Sequence, residues 1–133
     1  MSSTLFVDTG YVIALINQGD RYHQQALQLA EKYEGFSVVT TDAVLLEIGN
    51  ALSRIARSES TAVLRHFQTA PEVTIVSLTP ELMTSALNLY AKYHDKTWGL
   101  VDCVSFVVMH ERKISFALAF DRHFIQAGFT LAE

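Results

Sequence analysis

The sequence predicts an α/β protein, a three-layer α/β/α sandwich around a central, mainly parallel, twisted sheet. Three observations lead there. Short apolar runs of strand length alternate with longer segments whose apolar residues recur at helical spacing. A chain that alternates strand and helix in this way closes into a parallel sheet with helices on both faces. The 133 residues, half of them hydrophobic, suffice for one core without disulfides or metal staples. No repeat, low-complexity tract or Pro/Gly/Ser-rich linker interrupts the pattern, and Pro71 and Pro80 fall at element boundaries. One domain over residues 1–133 is the expectation.

The elements follow in order. TLFVD (4–8) reads as a buried strand and GYVIALIN (10–17) as a short helix. DRYHQQALQLAEKYEG (20–35) is a second helix, closed by Gly35, and FSVVT (36–40) a strand. TDAVLLEIGNALSRIA (41–56) carries apolar residues at 44, 45, 48, 51, 52 and 55, one face of a helix that Thr41 or Asp42 can cap. STAVLRHFQTA (60–70) continues helically and VTIVSL (73–78) is a strand. PELMTSALNLYAKYH (80–94) is a helix with Pro80 in its first turn. GLVDCVSFVVMHERK (99–113) is a further helix, SFALAF (115–120) a strand, and FTL (129–131) a short last one.

Composition excludes several classes. No apolar run approaches the roughly 18 residues of a membrane span. MSSTLFVDTG has no basic stretch followed by a long hydrophobic one, so the expectation is a cytosolic protein. The single cysteine, Cys103, lies within an apolar helical pattern and reads as buried packing. A formal net charge of −4 argues against nucleic-acid binding through bulk positive charge.

Four carboxylates stand out. Asp8 ends the first strand and Asp121 follows FALAF, so both project from one rim of a parallel sheet, where sites form near the switch in strand order. Glu47 lies at the edge of an apolar helical stripe, about 40° from Ala51 on a helical wheel, and Asp102 sits in the first turn of its helix, which favours an anion. Taken singly, each has a structural role: Asp8 and Asp121 as helix caps, Glu47 as a solvated flank, Asp102 as a charge on the helix dipole. Taken together, they would form a repulsive cluster that is tolerated when a cation sits within it. Carboxylate oxygens are hard ligands that suit Mg²⁺ or Mn²⁺ over Zn²⁺. The histidines His23, His66, His94, His110 and His123 show no zinc spacing.

LFVDTGYVIAL, VLLEIGNAL, WGLVDCVSFVVM and ALAFDRHFIQAGF together resemble, in order and spacing, the acidic motifs of PIN-domain proteins. The match runs from about residue 5 to residue 131, and the compact length resembles the stand-alone PIN toxins of VapBC-type toxin–antitoxin modules. The resemblance implies a PIN-like sandwich and a divalent-metal-dependent ribonuclease using Mg²⁺ or Mn²⁺. Asp8, Glu47, Asp102 and Asp121 fall on the family's acidic positions, and Thr9 on the small hydroxyl residue that often follows the first. The implied roles are principal metal contacts for Asp8 and Asp102 and direct or water-mediated coordination for Glu47. Asp121 is left a second site or water orientation. Two partners beyond RNA are implied: a second copy of the chain and a small antitoxin.

The pattern is departed from at Val101 and Gly99, where hydroxyl residues are frequent, and at Ala119, where Thr is. Hydroxyls that orient ligands alter affinity or activity about 10- to 100-fold.

With the four carboxylates set aside, the net charge of −4 becomes zero, so the remaining surface is not acidic overall. Arg54, Lys96 and Arg122 are candidate phosphate contacts, and Trp98 is either a base-stacking or a core residue. The readings left open beside the toxin are a PIN nuclease that processes a cellular RNA and a PIN-like module that binds without cutting. A receiver-type phosphotransfer domain lacks its second adjacent acid here, and a haloacid-dehalogenase-like site lacks its second aspartate, where Gly10 stands.

Overall fold

A computed structural model describes residues 4–133; the first three, part of the stretch read for a leader, lie outside the described residues. Five strands are hydrogen-bonded in the order β3-β2-β1-β4-β5, all parallel. They are β1 (Leu5–Val7), β2 (Val38–Thr41), β3 (Val73–Val76), β4 (Phe116–Leu118) and β5 (Thr130–Leu131). The helices are α1 (Thr9–Ile16), α2 (His23–Lys32), α3 (Asp42–Leu52), α4 (Arg57–Thr69), α5 (Pro80–Lys92), α6 (Leu100–Glu111) and α7 (His123–Gln126). Every strand anticipated from the sequence is present.

The strand order dictates the layers. From β1 the chain steps outward to β2 and β3, then returns across β1 to place β4 and β5 on the other side. Right-handed crossovers therefore set α1 to α4 on one face and α5 to α7 on the other. The packing agrees: α1 touches α2 and α3, α3 touches α4, and α5 packs most extensively on α6, which also meets α7. Direct contact between α3 and α6 bridges the two layers.

Local chemistry fixes the helix starts. Thr41 Oγ1 accepts from the Val44 backbone N–H, and Thr79 does the same for Leu82 ahead of Pro80. Asp42 is used differently, accepting from the Leu78 N–H and so joining α3 to the segment after β3. The helix expected over 41–56 ends sooner. It stops at Leu52, where the Ser53 hydroxyl bonds back to the Asn50 carbonyl, and Ser53–Ile55 form a turn. Ile55 is consequently 66% exposed rather than part of the stripe. The next helix begins at Arg57, three residues before the expected start.

The core beneath the end of the sheet is buried and aromatic. Phe6 and Phe124 have no exposed surface, and Phe124 meets the Phe106 ring edge-on at 5.0 Å. Trp98 packs on Phe106, also at 5.0 Å, and its indole N–H donates to Gln126. Trp98 is thus a core residue, which removes it as a base-stacking surface. Cys103 is fully buried, and burial together with the neighbouring Asp102 charge pushes its thiol up. On α4, Val63, Leu64 and Phe67 are half-buried against the core, while α5 leaves Leu87 and Tyr90 about half exposed. Replacing Phe124 with Ala is expected to cost about 3–5 kcal/mol, read by chemical denaturation. A loss below about 1 kcal/mol would mean that the ring is not the packed support of the α7 turn.

Candidate acidic site

The switch in strand order lies between β1 and β4, and the carboxyl ends of these two strands open into a cleft of about 560 Å³. Asp8, Glu47, Asp102 and Asp121 all line it. Asp8 leaves the end of β1, Asp121 follows β4, Glu47 comes from α3 and Asp102 from α6. The carboxylates therefore arrive from the sheet and from the helical layers on both of its faces.

Asp8 is the buried member, 6% exposed. Its backbone is held on both sides: the Asp8 N–H donates to the Leu118 carbonyl of β4, and the Thr40 hydroxyl of β2 donates to the Val7 carbonyl. It occupies the cap position of α1 but makes no side-chain cap bond, so the capping role does not account for it. Burial pushes its carboxyl from the ordinary 3.8 up to about 7. A backbone hydrogen bond at Thr9 partly opposes this, and the charges of Asp102, Glu47 and Asp121 push it further up.

Each of the other three carboxylates is oriented by a donor. The Thr9 hydroxyl donates to Glu47 Oε1 at 2.5 Å. Asp102 Oδ2 accepts from the Gly99 N–H at 3.0 Å, the backbone doing here what a hydroxyl side chain could have done. A Cβ on Gly99 would lie 3.9 Å from the same oxygen, an ordinary van der Waals contact, so the glycine is not required for space. Asp121 Oδ1 accepts from the His123 N–H at 2.9 Å, which turns the chain into α7.

His123 was not singled out in the sequence. Its Nδ1 lies 3.0 Å from Asp102 Oδ2 and 3.2 Å from Asp121 Oδ2, and its Nε2 lies 3.0 Å from the Thr97 hydroxyl. Ionised carboxylates only accept, so Nδ1 carries the hydrogen and bridges two like charges. Oxygens of Asp102 and Asp121 and a ring nitrogen of His123 lie within 4.8 Å of one another. The only signal for this in the sequence is the placement of the histidine two residues after Asp121, a spacing that matches no zinc motif.

The predicted cations stand elsewhere. Arg54 lies in the turn beyond α3, exposed; Lys96 pairs with Asp95 at 3.4 Å; Arg122 is exposed, and none of the three lines the cleft. Asp20, Arg21 and Tyr22, from the turn between α1 and α2, do line it. The donor set facing the cleft is thus predominantly hard oxygen, which fits Mg²⁺ or Mn²⁺.

Comparison with known proteins places this architecture. The family model for the PIN domain matches residues 5–130. The 23S rRNA-specific endonuclease VapC20 of Mycobacterium tuberculosis, from two strains, is 30% identical over 94% of this chain and 95% of its own length. The crystal structure of VapC20, a sarcin–ricin-loop-cleaving toxin, superposes with a TM-score of 0.86 at 29% identity, covering 95% of this chain and 96% of that one. FitAcB from Neisseria gonorrhoeae shares the fold, with a TM-score of 0.68 at 12% identity over 97% of this chain and 96% of that one. No helix among the described residues is long and apolar enough to cross a membrane. With its all-parallel five-stranded sandwich and its acidic cleft at the strand switch, this chain belongs to the PIN-domain family and resembles within it the VapC-type toxins.

Proposed function

We propose that this VapC-type ribonuclease hydrolyses RNA at the Asp8, Glu47, Asp102 and Asp121 cleft with Mg²⁺ or Mn²⁺, as the toxin of a toxin–antitoxin module. One observation carries the reading: four carboxylates from four separate elements line one cleft despite their mutual repulsion. A surface used only for binding has no need of such a cluster.

Asp8, Asp102 and Asp121 would hold the ion, with Glu47 contributing directly or through water. When bound, the ion supplies acidification of water for in-line attack and neutralises charge on the phosphate. The chain's own groups set the geometry. Thr9 fixes one oxygen of Glu47 and leaves Oε2 available; the Gly99 N–H and His123 both engage Asp102 Oδ2 and leave Oδ1 available. His123 holds Asp102 and Asp121 near one another before any ligand arrives.

Further assignments follow from relatives and surface. VapC20 is named for cleaving the sarcin–ricin loop of 23S rRNA, so a structured ribosomal RNA loop is the substrate to try first. The protein acts as a single PIN-like domain in the cytoplasm. The exposed Leu87 and Tyr90 on α5 suit a homodimer contact, and Leu46, 68% exposed beside Glu47, suits an antitoxin segment laid across the cleft.

Cleavage of that loop, and of a mixed RNA pool, is expected with Mg²⁺ or Mn²⁺ and not with chelator. Asp8→Asn and Asp102→Asn should each lose more than the roughly 100-fold that removal of an orienting partner costs, while His123→Ala should lose about 10- to 100-fold. Folded protein free of antitoxin that cuts nothing in either metal would favour the binding-module reading.

The raised Asp8 carboxyl also links stability to pH. Between about pH 4 and about pH 7 the folded state holds a proton that the unfolded chain has released. Metal-free protein therefore loses on the order of 4 kcal/mol as pH rises through this window. Thermal melts of the metal-free protein should fall with pH in wild type and much less in Asp8→Asn. Because the ion requires the deprotonated carboxylate, Mg²⁺ affinity should rise over the same range. Parallel pH profiles for the two proteins would show that Asp8 is not the group responsible.

A further inference from the structure

The cleft has a cationic lip that lies far from the acidic motifs in sequence. Arg21 is the only lysine or arginine among the described residues that line the cleft. Its guanidinium carbon stands 4.8 Å from the centre of the Tyr22 ring, and among the described residues it forms no ion pair with an acid. Tyr22 in turn stacks on Phe120, with ring centres 4.5 Å apart and planes 9° from parallel. Phe120 immediately precedes Asp121, so the arginine is coupled through two rings to the segment that carries the fourth carboxylate.

The turn bearing Arg21 is built rather than loose. The Tyr22 N–H donates to Asp20 Oδ1 at 2.8 Å, the Gly19 N–H to Asn17 Oδ1 at 3.0 Å, and the Asp20 N–H to the Asn17 carbonyl at 3.0 Å. His23 Nδ1 lies 2.7 Å from the Ala14 carbonyl and so ties the start of α2 to α1.

We infer that Arg21 binds a phosphate of the RNA strand next to the scissile bond, and that Tyr22 is the positioning residue that aims it. The inference rests on the ribonuclease reading above. A polyanion entering an acidic cleft is repelled, and an ion held by the carboxylates answers only for the phosphate it touches. The neighbouring phosphates need a separate cation at the rim. The Arg21 guanidinium lies against the Tyr22 ring and makes no side-chain hydrogen bond among the described residues, so its N–H donors are free for phosphate oxygens. An arginine already committed to a carboxylate could not serve in this way.

The test uses an RNA stem–loop of the sarcin–ricin sequence, with kcat and KM measured in Mg²⁺ across a range of salt. Arg21→Gln, Arg21→Lys and Tyr22→Leu are compared with wild type and with Arg112→Gln, an exposed charge at the opposite rim of the sheet. Arg21→Gln should raise KM about tenfold or more and leave kcat within about twofold. The slope of log kcat/KM against log salt should become shallower by about 0.7 to 1. Arg21→Lys should keep the slope while recovering only part of KM, because an ammonium lacks the planar fork. Tyr22→Leu should raise KM with the slope unchanged.

If Arg21→Gln matches Arg112→Gln in KM and slope while wild type cuts, the Arg21 assignment is overturned and the ribonuclease reading stands. A fall in kcat alone, with KM and slope unmoved, overturns it as well. Wild-type protein that neither cuts nor binds RNA in Mg²⁺ or Mn²⁺ would remove the underlying reading, and the Arg21 assignment with it.

Discussion

Asp8 sits at the end of the central strand, almost without solvent, with three other carboxylates around it. Desolvation and like-charge repulsion both disfavour its ionised form. The structure tolerates this because the Asp8 backbone is clamped between β2 and β4 and because donors hold each of the other three acids in place. The Thr9 hydroxyl, the Gly99 N–H and the His123 ring and backbone are the parts that keep repelling groups together. Such an arrangement keeps hard oxygen donors of the kind that suit a divalent cation in one cleft.

The topology explains why the four acids can meet. A reversal of strand order leaves a crevice at the carboxyl ends of β1 and β4, where Asp8 and Asp121 emerge. Right-handed crossovers then place α3 on one face of the sheet and α6 on the other, and each brings one carboxylate to the same opening. Below the opening, Phe6, Phe106 and Phe124 form a buried aromatic floor that carries the α7 turn, and with it His123. Packing of the core and geometry of the site are thus one problem: moving the floor moves the histidine that bridges Asp102 and Asp121.

Much of the fold was legible in the sequence because the signals are local. Strand-length apolar runs, helical periodicity, Thr79 ahead of Pro80 and Gly35 after α2 each act within a few residues. The end of α3 was not legible: no glycine or proline marks it, and the turn at Ser53–Ile55 is set by a hydroxyl back-bond and by how α4 must pack. Thr41, rather than Asp42, caps α3, since the Asp42 carboxylate is drawn to the Leu78 N–H across the layer.

The sequence by itself determined the order of the elements and the rim of the sheet to which Asp8 and Asp121 belong. These depend on period and on strand direction, which a linear chain records. Only the tertiary structure decided which cation faces the cleft and what bridges the acids. Arg21 lines the cleft from 13 residues after Asp8, and His123, only two residues after Asp121, reaches across to Asp102 of α6. Arg54, Lys96 and Arg122, nearer to the motifs, do not line the cleft. The reason is physical: whether a side chain arrives depends on crossover direction, helix ends and rotamers fixed by packing, and none of these is encoded by distance along the chain.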